Sequence, residues 1–309
     1  MEFDRPRIKE MAKSILHEAQ PRPWKVTLVF LLLLYGLPLA LGLLVLFPTF
    51  ILLQSRPASA AAVGGLTVLL LALYLLFFVL MVLFMAGYIF YTLRLWRREP
   101  ASYRDLFRGF SMFPRLLALF GLILLFSLLW YLPLFPLLEG FLLLAQALRS
   151  HALLKLFPLP LLGYGAFWIS RILRYTMAFH VLLDHPEYTA RQALNGSKAL
   201  MMGQRWRLTL FFLSFLGWFL LIPVIVYAVA IGGTLLLSLL PAVHSVPSAT
   251  TLAVLCILLL SWAASTPLTL WLSGYMGVSL AGVYDRLQGA PQVPSVPPWQ
   301  PPQGRDADL

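Results

Sequence analysis

The chain has 309 residues, 60% of them apolar and 11% charged, with a mean hydropathy of +0.84 and a formal net charge of +11. Soluble domains carry roughly 25% charged residues, so composition excludes a soluble globular protein. The cations sit between apolar runs rather than on one soluble face, which argues against nucleic acid as a partner. The lone Cys256 excludes a disulfide framework and a cysteine-based metal site.

Residues 1–25 form a basic opening segment. Ile8, Met11, Ala12, Ile15 and Leu16 follow the spacing of one helical face, predicting an amphipathic helix. The apolar run that follows is far longer than the roughly 7–15 residues of a signal-peptide core. It is therefore expected to remain as a span, uncut at Ala58-Ser59-Ala60. Runs of about 18 or more apolar residues predict membrane helices, and six are expected near 26–53, 63–93, 115–134, 158–183, 206–240 and 250–284. Residues 26–286 thus make an all-α polytopic bundle, with Pro38, Pro48, Pro223 and Pro267 as kink points.

Two polar breaks predict short surface helices. In the first, near 102–113, Ser102 is an N-cap with Asp105 three residues on, and Leu106, Phe107 and Phe110 form its apolar side. In the second, near 184–203, Asp184 is the expected cap with Glu187 three residues later and Pro186 in the first turn. Ala190, Ala193, Leu194, Ser197, Leu200 and Met201 share one face, and Gly203 is the stop. That face is expected to meet lipid or the underside of the bundle. Residues 134–158 admit two readings: an outer-face interfacial helix or hairpin, which is favoured, or a third span prolonged to Ala147. Residues 287–309 are Pro-rich and expected to be disordered.

With alternating spans, eighteen Lys and Arg fall on one side, in 1–25, 94–115, 191–207 and the tail. Only Arg56, Arg149 and Lys155 fall on the other. The positive-inside rule then places both termini in the cytoplasm. Trp24, Trp96, Trp206 and Tyr284 are read as interface-belt aromatics, and Gly163 and Gly232 as small-residue helix contacts.

Three stretches, in this order, carry a resemblance: "SYRDLFRGFSMFPRLLALFGLILLFSLLW", "RILRYTMAFHVLLDHPEYTARQALNGSKALMMGQRWRLTLFFLSFLGW" and "YMGVSLAGVYDRL". They resemble the bacterial integral-membrane family catalogued as domain of unknown function 975. Matching positions are Asp105, Phe107, Gly109 and Phe110; Tyr175, Met177 and Phe179; Pro186, Ser197 and Gly203; Ser214, Gly217 and Trp218; and the closing Tyr284-Asp285 pair. The resemblance implies a multi-pass protein of the bacterial cytoplasmic membrane with no assigned activity. The chain departs from the family pattern by some twenty-five extra residues, roughly 134–159, so the outer hairpin is not carried over.

Candidates for chemistry are few. Arg171 and Arg174 lie three apart in the fourth apolar run, where a cation must face the interior, pair with an acid or reach headgroups. They are read as an anion or lipid-phosphate contact, with Glu139 as a possible partner of Arg171. His180 with Asp184, and His185 with Glu187, are local pairs too small for a metal. No nucleophile, Walker or dinucleotide pattern is present. No catalytic residue, cofactor or metal is therefore expected. The functional expectation is a non-enzymatic, lipid-contacting protein with an organising, assembly or envelope-related role. The alternative is a transporter or lipid-handling protein using Arg171 and Arg174. Protein partners and oligomeric state are not indicated.

Overall fold

The computed structural model describes residues 4–19, 22–38, 40–45, 60–149, 155–239 and 247–289. Pro48, the end of the first expected span, Arg56, the Ser59 motif and the tail from 290 lie outside them. Every regular element among the described residues is helical: α1 (Arg5–Glu18), α2 (Pro23–Leu31), α3 (Ala60–Trp96), α4 (Phe113–Tyr131), α5 (Leu134–Ala147), α6 (Pro158–Ile172), α7 (Ala178–Asp184), α8 (Ala190–Leu200), α9 (Arg205–Leu213), α10 (Leu216–Ser238) and α11 (Pro247–Gln288).

Five helical runs are long and apolar enough to cross a bilayer: Pro23–Val45, Gly64–Trp96, Phe113–Ala147, Arg205–Ser238 and Ala253–Gln288. The first continues α2 through a π-helical turn at Leu32–Gly36, just before Pro38. A proline lacks the N–H that the α ladder needs, and a wider turn absorbs the misfit. Pro223 and Pro267 sit inside continuous helices. α4 and α5 join across a turn at 132–133 into a single 35-residue apolar run, the longer of the two readings for 134–158. The stretch expected as the fourth span is helical but broken into α6, a 3-10 turn at Leu173–Tyr175, and α7.

α3 has 37 residues and α11 has 42. At 1.5 Å per residue these helices are about 55 and about 63 Å long, against about 30 Å of hydrocarbon. The excess lies at one end, and the core lies there too. On α3 the described residues 64–81 are all at least partly exposed, while Val82, Leu83, Phe84, Ala86, Tyr91 and Trp96 are buried. On α11 burial also concentrates near the end, at Leu272, Tyr275, Val278, Ala281 and Tyr284, with only Ile257, Ser261 and Ser265 buried among described residues 253–271. In the most apolar windows of the five runs, only 0% to 17% of residues are buried. Exposed Leu, Ile and Phe on such helices need a lipid solvent, and the chain is read as membrane-embedded.

The packed end is assembled from the short elements. α1 buries Ile8, Ala12 and Ile15 and packs on α11. α7 and α8 form a hairpin against α3 and α4. The apolar face of α8 (Ala193, Leu194, Ser197, Met201) is buried in protein rather than turned to lipid. Two backbones cross in contact at α3: a Cβ on Gly87 would collide with the Leu106 carbonyl, and one on Gly109 with the Leu83 carbonyl. Glycine is required at both because nothing larger fits between the chains. The contact expected at the Gly163 motif is not made, since Gly163 and Gly165 face open space; in the Gly232-Gly233-Thr234 motif it is made by Gly233, which meets Ile257 of α11.

Candidate functional site at the basic end

α3 ends in the sequence Arg94-Leu95-Trp96-Arg97-Arg98. The Arg98 N–H bonds the Leu95 carbonyl and the Glu99 N–H the Arg94 carbonyl, with Arg98 at φ 57°. This is a Schellman stop, with Arg98 in the left-handed position usually held by glycine. The stop turns the Arg97 side chain into the space between α7 and α11.

Every nitrogen of the Arg97 guanidinium is used there. Nη1 and Nη2 donate to the two carboxylate oxygens of Asp184 at 2.6 and 3.0 Å, while Nη2 and Nε donate to Asp285 at 2.8 and 3.2 Å. Tyr284 Oη donates to Asp184 at 3.1 Å, and Gln288 Nε2 donates in turn to Tyr284. Asp184 is the last residue of α7 and Asp285 lies in the last turn of α11. Three helix C-termini therefore meet at one cation, which complements their dipoles as well as the carboxylates. The hydrogen bonds it donates to Asp184, against the cost of burial, hold Arg97 above its ordinary range. Burial pushes the Asp184 carboxyl upward, but the Arg97 and Tyr284 bonds outweigh it and the net direction is down.

A second ion group lies one turn back. Arg94 donates to Asp105 at 2.8 Å and to Glu99 at 3.2 Å, and the Ser102 N–H donates to Asp105 at 2.6 Å. The expected Ser102–Asp105 capping box is present. It opens a 3-10 turn at Tyr103–Phe107 and one α turn at Arg108–Ser111, not a helix over 102–113. The reason is the Gly109 crossing, which pins this segment across α3. Leu106 is buried, but Phe107 and Phe110 are 51% and 42% exposed, with edges against Phe84.

Other expected roles are corrected. Asp184 does not cap the 184–203 helix, and Pro186 is not in its first turn. Thr189 caps α8 in a box with Gln192, its N–H donating to Gln192 Oε1 at 2.8 Å. Arg97 has already taken the Asp184 carboxylate, and the Pro186 carbonyl accepts from Arg115. Gly203, at φ 76°, does supply the stop. Tyr284 and Trp96 are buried rather than in a belt, whereas Trp24 and Trp206 are 48% and 71% exposed. His180 is buried beside the Tyr284 ring, and its Nδ1 has no hydrogen-bond partner, so it does not pair with Asp184. His185 does lie 3.3 Å from Glu187. Among the described residues no group of three or more His, Cys, Asp or Glu could hold a metal.

Most of the remaining family-motif positions are packing residues of this same end. Ser197 Oγ donates to the Arg174 carbonyl at 2.7 Å, fixing α8 to the 3-10 break. Tyr175 stacks on Phe126, Met177 is fully buried, and Phe179 is partly buried against the core. The Ser214 carbonyl, where α9 turns into α10, accepts from Lys9 of α1 at 3.4 Å. Lys9 also lies over the Phe215 ring at 4.1 Å. Trp218 meets Trp271 of α11, while Gly217 faces open space.

Arg171 does not pair with Glu139, which is exposed on α5 and makes no ion pair among the described residues. Arg171 lies instead over the rings of Trp130 and Phe167, at 4.4 and 4.7 Å. Arg174 is in the 3-10 break, with its Nε buried.

Sequence reasoning missed Arg94 and Arg97, which counted only as loop cations. A usable signal was there. The chain has 12 acidic residues against 23 basic ones, so a lone Asp at the end of an apolar helix is worth assigning to a nearby Arg. The chain matches a family model, Protein of unknown function (DUF975), over residues 1–290. Comparison with curated proteins and with solved structures finds no match.

Proposed function

Since the chain belongs to the DUF975 family, whose function is unknown, the assignment rests on its own geometry, and we propose a non-enzymatic organising protein of the bacterial cytoplasmic membrane. Its membrane helices anchor a rigid basic end, which presents itself to other envelope components on the cytoplasmic side. The observation that carries this reading is the Arg97 knot. Asp105, Asp184 and Asp285 converge on Arg94 and Arg97, with Tyr284 bonded to Asp184, and these charges are spent on joining helices to one another. An enzyme would keep part of such a cluster open to a reactant. Counted over the six alternating spans read from the sequence, with the broken stretch 158–183 taken as one crossing, the imbalance of eighteen cations against three supports placing this end and both termini inside the cell.

The test is complementation of a strain lacking the protein, scored as growth under envelope stress. His180→Ala, Ser214→Ala and Glu139→Ala, tested singly, should all complement. Deletion of residues 184–203 should not. One of those single substitutions abolishing complementation at normal protein level would overturn the non-enzymatic reading.

A further inference from the structure

We propose that a recess formed by Arg171, Arg174, Lys198 and Arg205 binds the phosphate of an anionic phospholipid headgroup. The four cations come from separate elements. Arg171 ends α6, Arg174 sits in the 3-10 break, Lys198 is on the last turn of α8, and Arg205 opens α9. The Ser197 bond to the Arg174 carbonyl holds two of these elements together. The charges of Arg205 and Arg171 both act on the Arg174 guanidinium, and no carboxylate is among the groups acting on it.

The contrast with α3 is sharp. Arg94, Arg97 and Arg98 each have a carboxylate within 3.4 Å. Among the described residues, none of the four recess cations forms an ion pair. The Nε atoms of Arg174 and Arg205 are moreover buried and without hydrogen-bond partners. Like charges held together away from water repel, and a shared anion relieves that cost. Guanidinium forks suit phosphate oxygens in particular.

The recess is also preorganised. Arg171 is held over Trp130 and Phe167, and Lys198 over Phe126 and Tyr175 at 5.2 and 5.7 Å. Phe126 and Trp130 are one turn apart on α4, so the two cationic heads sit over neighbouring rings. The level of the recess selects lipid over free phosphate. It lies at the start of α9, where the run Arg205–Ser238, long and apolar enough to cross a bilayer, begins. Met202 and Trp206 beside it are 73% and 71% exposed, as expected of side chains inserted at the headgroup boundary.

The experiment titrates the full chain in detergent with short-chain phosphatidylglycerol, short-chain phosphatidylcholine or inorganic phosphate, following the thermal-unfolding midpoint. Phosphatidylglycerol should raise the midpoint saturably, and the other two should not. Arg174→Gln with Arg205→Gln should weaken the apparent Kd at least about tenfold. Arg104→Gln, an exposed cation elsewhere, should leave it unchanged. If the double variant does not fold, Arg171→Gln alone should still weaken binding. An equal response to inorganic phosphate would make this a free-anion site and overturn the lipid assignment. No response, or one equal in variant and parent, would overturn the site itself. The organising role does not require this lipid, so variants that lose binding yet complement normally would separate the two readings.

Discussion

The packed end and the apolar half of this protein are made from the same helices, and they are stabilised differently. On α3, Phe84, Tyr91 and Trp96 are buried among neighbours, whereas Leu69, Leu71 and Leu75, a few turns earlier, are 48% to 57% exposed. Water drives burial at the first set. Hydrocarbon solvates the second, where association rests on close backbone contact and polar bonds instead. The difference teaches that hydrophobicity along one helix can be constant while its structural role changes midway. Polar and small residues mark the change.

The largest effect should separate two glycines. Gly87→Leu has no room against Leu106 and should cost on the order of 3 kcal/mol or more, with loss of monodispersity after detergent extraction. Gly121→Leu, on α4 with open space around it, should stay within about 0.5 kcal/mol. Equal behaviour of the two would remove the distinction between the halves.

A smaller contrast separates two charges. Arg97→Ala leaves Asp184 and Asp285 facing each other without a cation and should destabilise by about 3 kcal/mol. Glu139→Ala removes an exposed, unpaired carboxylate and should change stability by about zero. Thermal-unfolding midpoints in one detergent compare them. An Arg97→Ala midpoint matching the parent would reduce the knot to an incidental contact.

The smallest contrast is between two serines. Ser197→Ala frees the part-buried Arg174 carbonyl and should cost about 1 kcal/mol. Ser170→Ala removes only an exposed bond to the Phe167 carbonyl of its own helix and should be silent. The sharper readout is hydrogen exchange at 173–177, which should quicken in the first variant alone.

How much of this was legible in sequence follows the same division. The apolar runs declared themselves because a helix in lipid needs only length and the absence of charge. The face of α8 was legible from its spacing, and so was the Ser102–Asp105 box, because both are local. The knot was not legible. Nothing in the spacing of Arg97, Asp184 and Asp285 says which acid meets which base, and Asp184 offered a plausible local role as a cap. Thr189 and Gln192 formed the better box and left Asp184 free for Arg97. Gly87 was equally hidden. A glycine inside "FMAGYIF" looks like any other membrane-helix glycine until the 106–109 segment is laid across it.

One consequence of the knot concerns the order of biosynthesis. Arg97 and Asp285 are 188 residues apart, while Arg97 and Asp184 are 87 apart. A nascent chain leaving the ribosome can join the first pair of helix ends early, yet Arg97 has only one of its two carboxylate partners until Asp285 has been translated. Chains stopped short of Asp285 would then be inserted but unlatched. A quality-control protease would meet them as loose helix ends rather than as missing membrane segments.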